Sequence, residues 1–236
     1  MNAIKPSLLI VDDEPSIRSV LERAFSKAGF AVVAVSTGEA GLSEIKRNKP
    51  DIVILDLNMP GISGQDVCRE IRRNPASEGV AVLIITGRIA EGLPASLLDQ
   101  GADDYVSKPF DLLELVARVK AILRRPRLYV GDQPVIERGG LSIQGASRQV
   151  FVRGDLIKLT PKEFDLLNLL VQHAPKVLDR QTLMRRVWGG ETEILNDRSL
   201  DVHIRRIRQK LGPLERCLVT AKTIGYQWIE LPATPA

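Results

Sequence analysis

Short apolar runs and amphipathic stretches alternate through the first half of the chain. Leu8 to Val11, Ala31 to Val35, Ile52 to Leu55, Val80 to Ile85 and Tyr105 to Val106 have the length and bounded character of strands buried on both faces. Between them apolar residues return at helical spacing, first as Ile17, Val20, Leu21, Ala24 and Phe25, then as Val67 with Ile71. The last such face is Leu112, Leu115, Val116, Val119, Ile122 and Leu123, opened by Asp111 and Glu114 in a capping pattern. Five alternating units predict an α/β fold, a doubly wound five-stranded parallel sheet with helices on both faces.

At Arg124 the pattern stops. Arg124, Arg125, Pro126 and Arg127, then Gly131, Asp132 and Pro134, have no period and read as a linker over 125–134, between domains at 1–124 and 135–236. Beyond it, Leu141 to Gln144, Arg148 to Arg153 and Leu156 to Lys158 predict short antiparallel strands. Thr160, Pro161 and Glu163 form a capping box with a first-turn proline ahead of Phe164, Leu167, Leu170 and Val171. A second helix is expected over about Arg180 to Trp188, and a third from an Asp197 cap to Leu211, stopped by Gly212 and Pro213. Leu218 to Thr220 and Tyr226 to Ile229 predict a closing hairpin, which makes the second half an α+β domain.

The 236 residues are 44% hydrophobic and 26% charged, an ordinary globular composition. Apolar stretches such as Val80 to Gly87 fall far short of the ~20 residues of a membrane span, so a protein of the cytoplasm with no membrane association is expected. Cys68 and Cys217 lie far apart, in no metal or disulfide spacing, and read as packing residues. The formal charge of +4 is unevenly divided: residues 1–124 carry 15 basic and 17 acidic side chains, residues 125–236 carry 18 and 12. Only the second half is suited to a polyanion.

In an open parallel sheet chemistry collects at the carboxyl ends of the strands, where Asp12, Asp13 and Asp56 stand. Like charges converging in a cleft stay ionised at neutral pH only with a cation among them, and oxygen ligands make Mg²⁺ the natural one. Thr86 and Lys108 bring a hydroxyl and a positive charge to the same edge, so an anion site beside a metal is expected, with an aspartate able to attack a phosphoryl group. For Asp12 or Asp13 alone, capping of the following helix explains an acidic residue equally well, and Asp56 before Asn58, Pro60 and Gly61 also fits a turn.

Residues 8–124 resemble the flavodoxin-like receiver domain of bacterial two-component response regulators. The resemblance is carried by Asp12, Asp13 and Glu14, by Asp56 to Gly61, by Thr86, and by Gly101 to Phe110. It implies a phosphoprotein in which Asp56 accepts a phosphoryl group from a histidine kinase. It also implies Mg²⁺ ligation by Asp13, Asp56 and the backbone carbonyl of Asn58, with a metal-bound water on Asp12. Thr86 and Lys108 would contact the phosphoryl oxygens, Tyr105 would be an aromatic switch, and the Lys108–Pro109 peptide would be cis. Gly87 beside Thr86 leaves the pocket open.

The third helix of the basic half carries Leu200, Ile204, Ile207 and Leu211 on one stripe, with Arg198, Val202, Arg205, Arg206 and Gln209 opposite and His203 and Arg208 on the flanks. A cationic face with one aliphatic residue suits a major groove, although a merely solvated face has the same pattern. Residues 135–232 resemble the winged helix-turn-helix effector of the OmpR/PhoB subfamily, through Leu159 to Leu167, Val187 to Gly189, Arg198 to Arg208 and Ile224 to Tyr226. That resemblance implies transcription regulation through double-stranded DNA, with Arg198, Ser199, Val202, His203, Arg205, Arg206 and Arg208 on the recognition helix. Lys222 and Tyr226 would act from the wing. The family's wing usually reads Thr, Val, Arg, Gly; Thr220, Ala221, Lys222 and Thr223 depart from it, and lysine lacks arginine's planar fork. Gly189 to Asn196 corresponds to the loop that contacts RNA polymerase, and its Glu191 and Glu193 suit a protein partner or a solvated loop. Trp188 is expected to pack rather than to stack on a base.

The resemblance further implies that phosphorylated receivers form a homodimer through the fifth strand and the helices beside it, pairing Asp103 with Arg118 and Asp104 with Arg125. Glu114 is present for a third pair, but its partner position holds Ser96, just after Pro94. The reading is therefore a phosphorylation-dependent, sequence-specific transcriptional regulator and not an enzyme. A phosphatase with a nucleic-acid appendage is the rival from another class; its site would lack a second acid or base, since both histidines, His173 and His203, lie in the other half. A receiver serving only as a dimerisation platform, with DNA binding not controlled by phosphorylation, is the alternative.

Overall fold

In a computed structural model that describes residues 5–87, 97, 100–123, 135–188 and 198–230, the apolar runs of the first half form one parallel sheet in the order β2-β1-β3-β4-β5. The strands are β1 (Ser7–Val11), β2 (Ala31–Val35), β3 (Ile52–Asp56), β4 (Ala81–Thr86) and β5 (Asp104–Ser107). β3 and β4 are buried at every position, as continuous apolar runs require. β2 lies at an edge and leaves Val33 42% exposed.

Around the sheet lie α1 (Pro15–Lys27), α2 (Gly38–Asn48), α3 (Gly64–Arg73) and α4 (Leu112–Leu123). α1 buries Leu21 and Phe25 but leaves Val20 43% exposed, so its core face is narrower than its spacing predicts. α2 has no long apolar stripe to announce it. Thr37 caps it by accepting from the Ala40 amide at 3.2 Å, and Gly41 lets it approach β1, where a Cβ would meet Val11 Cγ2 at 2.9 Å. α4 starts as expected, with Asp111 Oδ1 accepting the amides of Leu113 and Glu114 at 2.7 and 2.9 Å. The helix expected before β5, with Pro94 and Ser96, and the linker 125–134 fall outside the described residues.

The chain divides into two compact units, Met1–Leu123 and Arg124–Ala236. In the second, β6 (Ile136–Arg138), β7 (Leu141–Gln144), β8 (Gln149–Val152) and β9 (Asp155–Ile157) form an antiparallel meander. α5 (Pro161–Gln172), β10 (Leu178–Asp179), α6 (Arg180–Trp188), α7 (Arg198–Leu211), a 3-10 turn (Gly212–Cys217), β11 (Leu218–Ala221) and β12 (Gly225–Trp228) follow. The last strands form a second antiparallel sheet, β10-β12-β11.

α5 begins with the capping box read from Thr160 and Glu163 and runs through the centre of this unit, buried from Lys162 to Val171. The Lys162 ammonium is fully buried, donating to the Val187 carbonyl at 2.5 Å and lying 5.4 Å from the centre of the Trp188 ring. Trp188 thus packs, as expected. At Gly225 the hairpin meets β10 backbone to backbone; a Cβ there would stand 2.0 Å from the Leu178 carbonyl oxygen. Among the described residues no helix is long and apolar enough to cross a membrane.

Candidate functional site

Sheet register assembles the site. β1 lies between β2 and β3, so the strand order reverses there and the carboxyl ends of β1 and β3 open side by side. Val11 stands opposite Leu55, which sets Asp12 beside Asp56 at adjacent strand ends. Asp56 pairs with Ile85 and Thr86 with Ser107, which carries Thr86 and the following Lys108 to the same edge. Carboxylate oxygens of Asp12, Asp13 and Asp56 come within 4.8 Å of one another.

Local turns aim these groups. Asp12 Oδ1 accepts the Glu14 amide at 2.8 Å and Asp56 Oδ1 the Asn58 amide at 3.1 Å. Their Oδ2 atoms converge on the Lys108 ammonium, at 2.8 Å for Asp56 and 3.2 Å for Asp12, and Glu14 Oε1 joins them at 3.1 Å. The N-cap of α1 is Glu14, without a side-chain bond, so neither Asp12 nor Asp13 occupies the capping position. Behind the site, Gly64 brings α3 against the end of β3, where a Cβ would be 2.1 Å from the Asp56 carbonyl oxygen.

Burial and charge act in opposite directions here. Loss of water raises the Asp12 pKa and the Asp56 charge adds to the rise, against the Glu14 amide and Lys108, which favour the carboxylate. Burial alone would depress Lys108, but hydrogen bonds to Asp56 and Glu14 and the charges of Asp56 and Asp12 outweigh it and raise its pKa. An acidic, oxygen-only cluster with both Asp12 and Asp56 buried fits a hard divalent cation. Thr86 is buried, Tyr105 is half-buried with its phenol pKa raised by burial and by Asp104, and the Lys108–Pro109 peptide is cis. Ala174–Pro175 is cis as well, which nothing in the sequence announced.

The expected subunit-pairing residues make contacts within their own chain. Asp103 is 1% exposed and bonded within its own chain: Oδ2 accepts from Arg72 and from the Val82 amide, both at 2.9 Å. Arg118 lies 3.3 Å from Asp104 and 2.8 Å from Glu114, both in the same chain. In the single chain the Asp103 carboxylate is thus held inward by Arg72, from the end of α3, and by the β4 backbone. Arg125 is outside the described residues.

In the second unit α7 buries the expected stripe of Leu200, Ile204, Ile207 and Leu211. Part of its opposite face is buried as well, since a helical wheel assumes one packed side and α7 is covered on more than one. Val202 and Arg206 are each 8% exposed, Ser199 1% and His203 0%. His203 Nδ1 donates to the Ser199 carbonyl at 2.8 Å and the ring stands edge-on to Trp188 at 5.2 Å. Tyr226 is buried with its hydroxyl on Asp201, and Arg208 is committed to the hairpin, donating to the Leu218 carbonyl and to Thr220 Oγ1. Arg205, Gln209 and Lys222 are exposed as expected; Arg198 opens α7, with its side chain outside the described set, as is the segment 189–197.

Sequence reasoning gave no contact role to Glu14, Arg72, Arg180 or Asp201. Glu14 had a signal, its place directly after Asp12 and Asp13; Arg72 had none, since its partner lies 31 residues away.

A parallel sheet with a lysine-clamped acidic cluster at its switch point, followed by a helix-and-hairpin unit, defines a phosphotransfer receiver joined to a DNA-binding regulator. Comparison with known proteins agrees: residues 8–120 match the response regulator receiver domain and residues 154–228 the C-terminal domain of transcriptional regulatory proteins. The sensory transduction protein RegX3 of Mycobacterium tuberculosis is 40% identical, covering 94% of this chain and 98% of its own. The phosphate regulon transcriptional regulatory protein PhoB of Pseudomonas aeruginosa is 35% identical, covering 94% and 96%. The crystal structure of DrrB, a Thermotoga maritima OmpR/PhoB homologue, is similar with a TM-score of 0.51 at 29% identity, over 95% of this chain and 99% of that one. The chain belongs to the OmpR/PhoB family of two-component response regulators, whose members are transcription factors and not enzymes.

Proposed function

We propose that this regulator binds specific double-stranded DNA sequences under the control of phosphorylation at Asp56, with residues 1–124 as receiver, 125–134 as linker and 135–236 as effector. The carrying observation is the Lys108 ammonium, 2.8 Å from Asp56 and 3.2 Å from Asp12, beside the clustered Asp13. In the reaction an Asp56 carboxylate oxygen forms a bond to phosphorus while the bond from phosphorus to the histidine nitrogen of the kinase breaks. Lys108 stays with the transferred group and balances its charge, and the Thr86 hydroxyl donates to a phosphoryl oxygen. Asp13, Asp56 and the Asn58 carbonyl would hold Mg²⁺, with Asp12 reaching it through water. When bound, Mg²⁺ offsets the charge of the carboxylates and of the transferring phosphoryl group.

Phosphorylation then promotes a homodimer through the face of β5 and α4, where Asp104, Arg118 and Arg125 supply charge and Tyr105 changes position with Thr86. On DNA, α7 enters the major groove with the exposed Arg205 reaching the duplex and Arg198 contributing from its first position, and the hairpin carries Lys222 to the backbone. Val202, His203, Ser199 and Arg206 reach the duplex only through side-chain movements that uncover them, and Tyr226 acts from the wing. The loop 189–196 contacts RNA polymerase. All of this takes place in the cytoplasm, where the DNA lies.

The test is DNA binding by the full chain with and without Mg²⁺ and acetyl phosphate, using Asp56→Asn as control. Binding that tightens only in the phosphorylated wild-type chain supports the proposal. Equal binding in all four arms overturns phosphorylation control.

A further inference from the structure

α7 is tied to both strands of the closing hairpin. Near its start, Asp201 Oδ1 accepts from the Tyr226 hydroxyl on β12 and, at 2.7 Å, from Arg180, the first residue of α6. Arg180 also reaches the Tyr226 oxygen at 3.3 Å and lies over its ring, 5.7 Å from the centre. About two turns later, Arg208 makes the other tie: Nε and a terminal nitrogen donate to the Leu218 carbonyl on β11 at 3.0 and 2.7 Å, and the terminal nitrogen also meets Thr220 Oγ1 at 2.7 Å.

Stability does not account for both ties. The Asp201 side chain is 52% exposed, and ion pairs that wet contribute little to folding. Binding a polyanion does not account for them either, since a carboxylate on the DNA-facing helix repels phosphate and Arg208 turns Nε and one terminal nitrogen to the hairpin rather than outward. What the two residues do share is placement: one holds β12 and the other β11, at opposite ends of the same helix.

We infer that Asp201 and Arg208 are positioning residues for DNA recognition, bracing the β11-β12 hairpin against α7 so that both reach one duplex without first being ordered. This rests on the DNA-binding reading above and reassigns Arg208, which acts through Leu218 and Thr220 rather than on phosphate. A braced pair of elements binds more tightly than a loose pair because less motion is lost on association.

Two probes test it with the full chain: a duplex recovered from a random-sequence pool by the chain treated with acetyl phosphate and Mg²⁺, and a scrambled duplex of equal length. Asp201→Asn removes a repulsive charge, so electrostatics alone predicts tighter binding to both. The brace predicts about tenfold weaker binding to the recovered duplex, with binding to the scrambled one unchanged or tighter. Arg208→Lys keeps the charge and loses the forked contact, and the same selective loss is expected. Thr220→Val removes one bond without removing charge, gives a smaller loss in the same direction, and serves if either other variant fails to fold by thermal melting. Wild-type affinity in Arg208→Lys, or unchanged or improved affinity of Asp201→Asn for the recovered duplex, overturns the brace. If the wild-type chain recovers no preferred duplex, the DNA-binding reading falls and the brace with it; if it does, only the variants decide.

Discussion

Asp56 and Lys108 are already in contact, carboxylate to ammonium at 2.8 Å, across the 52 residues that separate them in sequence. The proposed phosphoacceptor and its counter-charge are thus held by the fold before any reaction. Asp56→Asn should leave the fold intact and abolish base-labile labelling by acetyl phosphate, read by mass spectrometry. Lys108→Ala should still accept label but lose the tightening of DNA binding that label brings. Label persisting in Asp56→Asn would move the reaction to another side chain.

The acidic cluster gives a prediction that needs no reaction. A cation that binds the folded receiver and not the unfolded chain raises its melting temperature with concentration. Millimolar Mg²⁺ should therefore raise the melting temperature of the wild-type chain, and Asp13→Asn should erase most of the rise. A melting curve indifferent to Mg²⁺ would remove the metal from the proposal.

Asp103 belongs to the interior, so its removal should act on the monomer. Asp103→Ala takes the carboxylate from Arg72, which keeps only neutral carbonyl partners, and the acceptor from the Val82 amide, and should cost roughly 3 kcal/mol of stability. Urea unfolding at several protein concentrations reads this directly: a loss independent of concentration fits an internal role. A loss seen only where dimers form would restore Asp103 to the subunit interface.

On α7, Arg205 and Arg206 should behave differently despite being neighbours. Arg205 is exposed, and Arg205→Ala should weaken binding to all duplexes alike and lower the salt slope by about 1. Arg206 is 8% exposed. Once uncovered it meets a base edge, so Arg206→Ala should cost ~1 to 3 kcal/mol at one base-pair position. Gel shifts over a salt series with single-base variants separate the two; identical losses would reject the base contact.

Tyr226 sets an alkaline limit. Burial and its bond to Asp201 raise its phenol pKa in the folded state. A group so raised stabilises the fold fully below its unfolded value and loses that contribution as pH climbs through the folded one. Stability should thus fall above about pH 10, and Tyr226→Phe should flatten that fall. Phenolate absorbance during titration checks the same shift.

The sheet was legible because residues buried on both faces leave uninterrupted apolar runs, and the Asp111 cap and the Thr160 capping box because their side chains bond within one turn. β6 and β10 were not, being three and two residues long, too short for any period. Asp12, Asp56, Thr86 and Lys108 could be placed together because each ends or follows a strand of one sheet. Helices buried on several sides defeat a wheel: nothing local foretells that Lys162 goes inside with a carbonyl and an indole, or that His203 turns to Trp188. Asp103 with Arg72 and Arg208 with Leu218 are contacts between elements, and a charged residue's letter does not say whether it faces its own chain or a partner.

The close approach at Gly225 bears on how this effector can change. With β12 lying so near the Leu178 carbonyl that no side chain fits between, the hairpin meets the strand before α6 main chain to main chain at position 225. Its tip, Lys222 to Ile224, is exposed and can drift toward new operators within the limits of a turn that holds Thr223 at φ 64°, whereas its root cannot. Hairpins grafted from relatives should be accepted when cut at the tip and rejected when the graft brings any side chain to position 225, which makes the tip, and not the whole hairpin, the unit of exchange.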